Sequence, residues 1–318
     1  MREIGGYIEF ETFNGHALHE ELTGLNSGRS CLAYLIETKR IRAVALPYFL
    51  CDSVKELCEK KGLRIRYYRT GMDFKPEITA LLQNEWLYVV NYYGQLTSAD
   101  LADLKNRYGR VIIDNAQAYF EEPLQNTDTI YTCRKYFGVS DGAFLATDEK
   151  LTRELPEDRS ADRLGFLFGR FEGRASDYYG QYAANNARFA NEPVKSISRL
   201  TLNFLRAIDY GTVKQRRTEN FDYFHQRLKS VNLLNLRVPE GAFAYPLMLK
   251  NAETIRKKMI DRKIYVPLLW PNVLSETSAE TTDYALAASV LPLPCDQRYG
   301  KEECGYICTS LEEAMAEI

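Results

Sequence analysis

Short segments rich in β-branched and aromatic residues alternate with helical patterns between about residues 25 and 150, and this alternation restricts the fold more than any other feature. Helices are predicted at 52–61 and from Ser98 to Gly109, where the serine can cap the helix and the glycine can end it. This order indicates an α/β fold, with a mainly parallel sheet covered by helices on both sides. The predicted strands are 42–46, 64–68, 86–91, 111–114, 128–131 and 143–147.

The strand at 111–114 is apolar at every position before its final aspartate, Asp114. Continuous apolarity is typical of a strand that is buried on both faces. Ligands of such sheets bind at the carboxyl ends of the strands, so we expect the functional residues directly after the strands.

The second half of the chain has a different character. Residues 151–195 are rich in Arg, Gly, Asn and Tyr with weak periodicity, which is typical of a functional excursion or a subunit arm. The later patterns predict a small α+β domain, so we expect a large domain at 1–205 and a small one at 206–318. The predicted elements of the small domain are helices at 212–229, 252–261 and 302–316 and strands at 242–249 and 264–268, and a helix at 197–210 comes before them.

Composition excludes several classes of function. The 318 residues include 41 Lys and Arg against 43 Asp and Glu, so no net field attracts nucleic acid or an anionic membrane. No apolar stretch has the length of a membrane span or of a signal peptide, which predicts a cytoplasmic protein with a small-molecule partner. Seven scattered cysteines and three histidines predict no metal site and no disulfide framework.

Two residues at predicted strand ends could carry chemistry. Asp114 ends a buried strand, and Lys135 follows the next strand between Arg134 and Tyr136. Singly, Asp114 could cap a turn and Lys135 could be a solvated lysine. Together, a lysine that holds an aldehyde and an aspartate that keeps a pyridine nitrogen protonated are what pyridoxal 5′-phosphate (PLP) requires.

A third segment, Asn26-Ser27-Gly28-Arg29-Ser30, opens an apolar helix with small polar residues. Free backbone N–H groups at a helix N-terminus bind phosphate well, although the same residues also serve as ordinary caps. The segment therefore indicates either a phosphate site or a capped helix.

These motifs resemble, in order along most of the chain, those of the DegT/DnrJ-type sugar aminotransferases, which are PLP enzymes of fold type I. The five resembling segments are 26–30 (S-G-T-x-A), 46–49 (a strand–proline–aromatic turn), 89–95 (V-H-x-Y-G-Q), 112–118 (I-E-D-A-A-Q-A) and 132–142 (S-x-x-K to a glycine pair). The sequence departs from the family at Arg29, Asn91 and Ala143, Cys51 aligns with the ring-stacking aromatic residue, and the family's C-terminal histidine is absent.

The resemblance implies a role for each matching residue. Lys135 would hold the cofactor aldehyde, Asp114 would pair with the pyridine nitrogen, and Gln117 would bond near the ring hydroxyl. The other implied contacts are Gly28, Arg29, Ser30 and Thr132 for the phosphate, Tyr48 or Phe49 for the ring, and Asn91, Tyr92, Lys195 and Ser196 for the substrate or the phosphate.

The resemblance implies a homodimeric aminotransferase with its active site at the subunit interface. It would transfer an amino group from glutamate or glutamine to a keto substrate such as a nucleotide-linked ketosugar, and residues 163–199 would form the arm between subunits. Two alternatives remain open, because one electron sink serves many reactions and the site has substitutions. They are another PLP enzyme, of the lyase type, and a non-catalytic regulatory protein on the same fold.

Overall fold

A computed structural model describes residues 4–317 of the chain. Within this range, one large sheet has the strand order β1-β8-β7-β6-β5-β2-β3-β4. Its strands are β1 (Thr23–Leu25), β2 (Ala43–Pro47), β3 (Arg64–Thr70), β4 (Pro76–Glu77), β5 (Glu85–Val90), β6 (Val111–Asp114), β7 (Asp128–Thr132) and β8 (Ala143–Ala146).

The five central strands of this sheet, β7-β6-β5-β2-β3, are parallel, and β1, β4 and β8 are antiparallel to their neighbours. The predicted α/β class with a mainly parallel sheet is therefore confirmed. All four residues of β6 are buried, as its continuous apolar sequence predicts. Parallel pairing brings the carboxyl ends of β5, β6 and β7 to one edge of the sheet, with Val90 opposite Asp114 and Asp114 opposite Ile130.

Three helices connect the first strands: α1 (Gly28–Thr38), α2 (Asp52–Lys60) and α3 (Ser98–Tyr108). The Ser27 side chain caps α1 by accepting a hydrogen bond from the Ser30 N–H. Thr97 and Asp100 form a capping box at the start of α3, and Gly109 ends that helix at a φ of 71°.

The segment after the sheet is more helical than its weak periodicity predicts. It contains α4 (Gly165–Glu172) and α5 (Tyr179–Arg188), which pack on each other. The helix predicted at 197–210 is shorter, α6 (Arg199–Leu205), because a new helix starts at the Asp209 cap. Amphipathic faces that pack on neighbours stabilise short helices that have little propensity of their own.

The C-terminal part contains a two-stranded antiparallel sheet and several helices. The strand predicted at 264–268 is wrong: those residues are irregular, with Lys263 at a positive φ and Pro267 lacking a donor, and β10 pairs with β9 instead. The elements are α7 (Tyr210–Leu228), β9 (Tyr245–Met248), α8 (Ala252–Asp261), α9 (Asn272–Glu276), α10 (Thr282–Ser289), β10 (Val290–Leu293) and α11 (Lys301–Ala316).

One hydrophobic cluster includes residues of both sheets, for example Leu46 and Ile112 of the large sheet and Leu247 and Leu291 of the small one. The two parts of the chain therefore share a continuous core. The boundary near residue 205 stays a prediction. Among residues 4–317, no helix is both long and apolar enough to cross a bilayer.

Candidate active site

The start of α1 lies directly against the end of β7. A Cβ atom added to Gly28 would lie 2.8 Å from Cγ2 of Thr132, so only glycine allows this approach of helix and strand. The Thr132 hydroxyl is buried and has no hydrogen-bond partner within the described residues. An unpartnered buried hydroxyl beside the free N–H groups of a helix N-terminus is a suitable environment for a phosphate group.

Asp114 is held in one orientation at the end of β6. Its Oδ1 accepts a hydrogen bond from the Ala116 N–H at 2.8 Å, and its Oδ2 accepts one from the Tyr88 hydroxyl at 2.7 Å. Tyr88 lies two residues before Val90, the partner of Asp114 across the sheet, so both side chains project from the same face. Burial and the neighbouring Asp114 carboxylate raise the pKa of Tyr88, so the phenol stays a donor.

Lys135 ends a short 3-10 turn, Cys133–Lys135, directly after β7. Its side chain is exposed, and its Nζ lies 5.4 Å from the centre of the Phe243 ring. Within residues 4–317 the amine makes no hydrogen bond and no ion pair. A primary amine that is accessible and uncommitted is available to an aldehyde.

The sequence analysis assigned no role of its own to Arg134, the guanidinium group next to this lysine. Arg134 donates a short hydrogen bond to Oδ1 of Asn186 and stacks 4.6 Å above the Phe189 ring, and burial lowers its pKa to about 10. Arg29 donates to the backbone oxygen of the same Asn186 at 3.3 Å. Two arginines thus converge near the start of α1. The motif reading considered Arg134 only as a neighbour of Lys135.

Three residues of the predicted site are buried and bonded inside the fold. Gln117 accepts the Tyr93 N–H through Oε1 at 2.9 Å, so its amide NH₂ is the end that could donate to a ligand. Asn91 is completely buried and bonds to Asn115 and to the Leu96 N–H.

Tyr92 is also buried, and its hydroxyl donates a short hydrogen bond to the Phe49 backbone oxygen. Asn91 and Tyr92 are therefore buried and bonded inside the fold, and their contact with a substrate stays a prediction. The turn after β5 folds inward, where its polar groups need internal partners.

The two aromatic candidates for ring stacking also pack elsewhere. Tyr48 stacks on Tyr67 with ring centres 5.0 Å apart, and Phe49 is 1% exposed and packs edge-on against Trp270. Cys51, at the start of α2, is half-buried, and its thiol lies 3.0 Å from the Ser53 hydroxyl. The turn after β2 therefore packs Phe49 into the core and leaves Tyr48 half-buried, and ring stacking by Tyr48 or Phe49 stays a prediction.

Lys195 and Ser196 lie beside the loop that precedes α1. The backbone oxygen of Lys195 accepts the Asn26 N–H at 3.1 Å, and Ser196 bridges to Leu25. The Lys195 amine is paired with Asp158 at 3.4 Å and with Glu192 at 3.2 Å. This lysine is close to the start of α1 within its own chain, but two carboxylates neutralise its charge.

A cleft of about 1220 Å³ opens beside Lys135, between that turn, α4, α5 and the start of α11. Its walls combine aromatic rings with cationic side chains, including Phe166, Tyr179, Tyr265, Arg170 and Arg298. A cleft of this kind suits a flat or polar anionic molecule. Among the described residues, no cluster of three or more His, Cys, Asp or Glu side chains could hold a metal ion.

Several solved structures share this fold. The sugar aminotransferase CalS13 of Micromonospora echinospora is 13% identical, with a TM-score of 0.60 over 92% of this chain and 87% of its own. A DegT DnrJ EryC1 StrS aminotransferase of Brucella abortus is 13% identical, with a TM-score of 0.64 over 92% of this chain and 85% of its own. NtdA of Bacillus subtilis, with bound cofactor PMP, is 13% identical, with a TM-score of 0.65 over 93% of this chain and 73% of its own.

No protein-family model and no curated protein matches the chain. At these identities the structural likeness is evidence of a common fold. The resemblance indicated by the five sequence motifs is thereby confirmed at the level of the fold, and the chain has the fold of the DegT/DnrJ-type, fold-type I aminotransferases.

Proposed function

We propose that this protein is a PLP-dependent aminotransferase that transfers an amino group from glutamate or glutamine to a keto group on a nucleotide-linked sugar. The observation that carries the proposal is the unpartnered buried hydroxyl of Thr132, a residue whose methyl group lies against Gly28 at the start of α1. This arrangement lies at the same edge of the sheet as Asp114 and is followed by Lys135. The aminotransferase structures with this fold add support.

The residues present fit the cofactor. The N–H groups at the start of α1 and the Thr132 hydroxyl would hold the phosphate, and Arg29 would add charge. Asp114, fixed by two donors, would face the pyridine nitrogen and keep it protonated. The amide NH₂ of Gln117 would donate to the ring hydroxyl.

Bound PLP supplies an aldehyde and a pyridinium ring that withdraws electrons from the carbon bearing the amino group. The Lys135 amine would hold the aldehyde of the cofactor. As a free amine, Lys135 would accept the proton from the α-carbon of the amino donor and would be the acid that gives it back. Its exposed position beside the cleft leaves room for both roles.

The aromatic and cationic cleft supports a nucleotide-linked acceptor. Rings such as Tyr179 and Tyr265 are exposed and could stack on a base, and Arg170 could pair with a diphosphate. Exposed Phe168 and Phe171 on α4 support the proposal that residues 163–199 form a dimer arm and that the active site lies at the interface.

Absorbance with added PLP tests the cofactor assignment. The purified protein should gain a yellow band, and borohydride reduction followed by peptide mapping should place the pyridoxyl group on Lys135. Lys135→Ala should lose the adduct and at least about 100-fold in turnover, because it lacks the proton-transfer amine. Lys150→Ala removes another exposed lysine and should behave as wild type. Normal turnover in Lys135→Ala would refute the assignment.

A single-turnover reaction with glutamate or glutamine tests the reaction type. An aminotransferase releases one keto acid per site and loses the yellow band, whereas a lyase does not convert the cofactor stoichiometrically. A protein that forms no band with PLP would be the non-catalytic member of the fold.

A further inference from the structure

The largest fully buried side chain in the described part of the chain is a cation, Arg217 of α7, which is 1% exposed. Within residues 4–317 it makes no ion pair with a carboxylate. Burial lowers the pKa of its guanidinium group. A buried charge of this kind is costly and persists where hydrogen bonds hold it, so the partners of Arg217 indicate what it is for.

The three partners of Arg217 come from three separate segments. Its Nη1 donates to the Ala242 oxygen at 2.9 Å, its Nη2 to the Tyr136 oxygen at 3.1 Å, and its Nε to Oε1 of Gln297 at 2.7 Å. Gln297 donates through Nε2 to the same Tyr136 oxygen at 2.8 Å. The guanidinium group also lies 4.4 Å from the centre of the Tyr136 ring.

Two of these partners are the immediate neighbours of residues at the proposed active site. Tyr136 follows Lys135 in the chain, and Ala242 precedes Phe243, whose ring lies 5.4 Å from the Lys135 amine. One planar group therefore fixes the backbone that carries the lysine and the backbone that carries the ring against it. A guanidinium fork suits this task because its donors diverge at fixed angles.

We infer that Arg217 is a positioning residue for Lys135, setting the place of the amine relative to the bound aldehyde. The inference rests on the proposed function. Arg217 would act through the Tyr136 and Ala242 carbonyls, to which it donates, and not through a contact with the cofactor. The phosphate cradle at Gly28 and Thr132 involves none of these bonds, so the two parts of the site respond separately to substitution.

The test compares PLP with pyridoxamine phosphate, which has the same ring and phosphate but no aldehyde for Lys135. Arg217→Met should weaken PLP binding at least 10-fold and should slow the appearance of the yellow band. Its affinity for pyridoxamine phosphate should stay within about 2-fold to 3-fold of wild type. Titrations of absorbance and of protein fluorescence measure both affinities without any turnover.

Three further variants make the comparison specific. Arg216→Met removes an exposed arginine from the adjacent position of α7 and should change neither affinity. On a Lys135→Ala background, Arg217→Met should have no additional effect on PLP. Gln297→Leu keeps Arg217 but removes both bonds of the glutamine, and should weaken PLP binding by a smaller factor in a protein that still folds.

Equal losses of affinity for PLP and pyridoxamine phosphate in Arg217→Met and Gln297→Leu would overturn the inference, since they would indicate general damage to the site. Unchanged affinities in both variants would also overturn it. A wild-type protein that forms no adduct at Lys135 would instead refute the proposed function, and that result is read from wild type alone.

Discussion

Removing the Tyr88 hydroxyl tests whether Asp114 is held as a charged group. The Tyr88 ring is 2% exposed, and its hydroxyl donates to Oδ2 of Asp114 at 2.7 Å. Tyr88→Phe removes only this oxygen. Oδ2 of Asp114, a residue that is 9% exposed, then loses its hydrogen-bond donor from the protein, while Oδ1 still accepts from the Ala116 N–H.

The magnitude follows from the charge of the acceptor. A hydrogen bond to a charged group contributes ~1.5–3 kcal/mol, and one between neutral groups contributes ~0.5–1.5 kcal/mol. We therefore expect Tyr88→Phe to lower the free energy of unfolding by ~1.5–3 kcal/mol. Tyr68→Phe is the matched control, because it removes an equally buried hydroxyl that donates to the neutral Tyr88 backbone oxygen at 2.6 Å. Its expected cost is ~1 kcal/mol.

Urea unfolding at pH 7, followed by circular dichroism, measures both losses in the cofactor-free protein. On an Asp114→Asn background, the cost of Tyr88→Phe should fall to that of a neutral bond, ~1 kcal/mol. The reasoning is refuted if Tyr88→Phe costs no more than Tyr68→Phe, or if its cost is the same with Asp114 and with Asn at that position.

Three other predictions concern the rest of the fold. Burial lowers the pKa of His19 below 6.5, so the unfolded chain takes up the proton first as the pH falls. Between pH 7 and 5.5 the wild-type protein should therefore lose stability and the His19→Gln variant should not, which urea midpoints measure. Gly241→Ala places a Cβ 2.2 Å from the Phe120 ring at a φ of 60°, whereas Gly62→Ala places one in open space at a φ of 69°. Gly241→Ala should therefore lower the free energy of unfolding by ~1–3 kcal/mol more than Gly62→Ala, and equal shifts of the melting temperature would contradict this. Cys51 is the one of the seven cysteines that is not buried, so native protein should react quickly with one equivalent of a thiol reagent, and Cys51→Ser should abolish that reaction.

Local sequence patterns were sufficient for six of the eight strands of the large sheet; the short edge strands β1 and β4 were not predicted. Val111 to Ile113 form a buried strand because three successive β-branched residues favour the extended backbone and pack well on both faces of a covered sheet, and Asp114 ends the strand at its carboxyl end. The motif around Gly28 likewise predicted a helix start, which the Ser27 cap confirms. Each of these features depends on residues that are neighbours in the chain.

Contacts between distant segments could not be read in this way. Residues 264–268 do not form the expected strand, and β10 pairs with β9 instead. Which segment pairs with β9 depends on which backbone lies beside β9 and not on local apolarity. Tyr48 and Phe49 match in sequence a turn whose aromatic residue stacks on a cofactor ring, but Phe49 packs against Trp270 in the core.

The sequence by itself determined the fold class and placed Asp114 and Lys135 after successive strands, because hydrophobic periodicity and capping act over a few residues. Only the tertiary structure decided that Tyr88 bonds to Asp114 and that Arg217, 82 positions beyond Lys135 by their numbers, holds the turn carrying the lysine. Buried polar groups take whichever partner the packed chain brings within hydrogen-bond distance, and that choice exists only after the segments have come together.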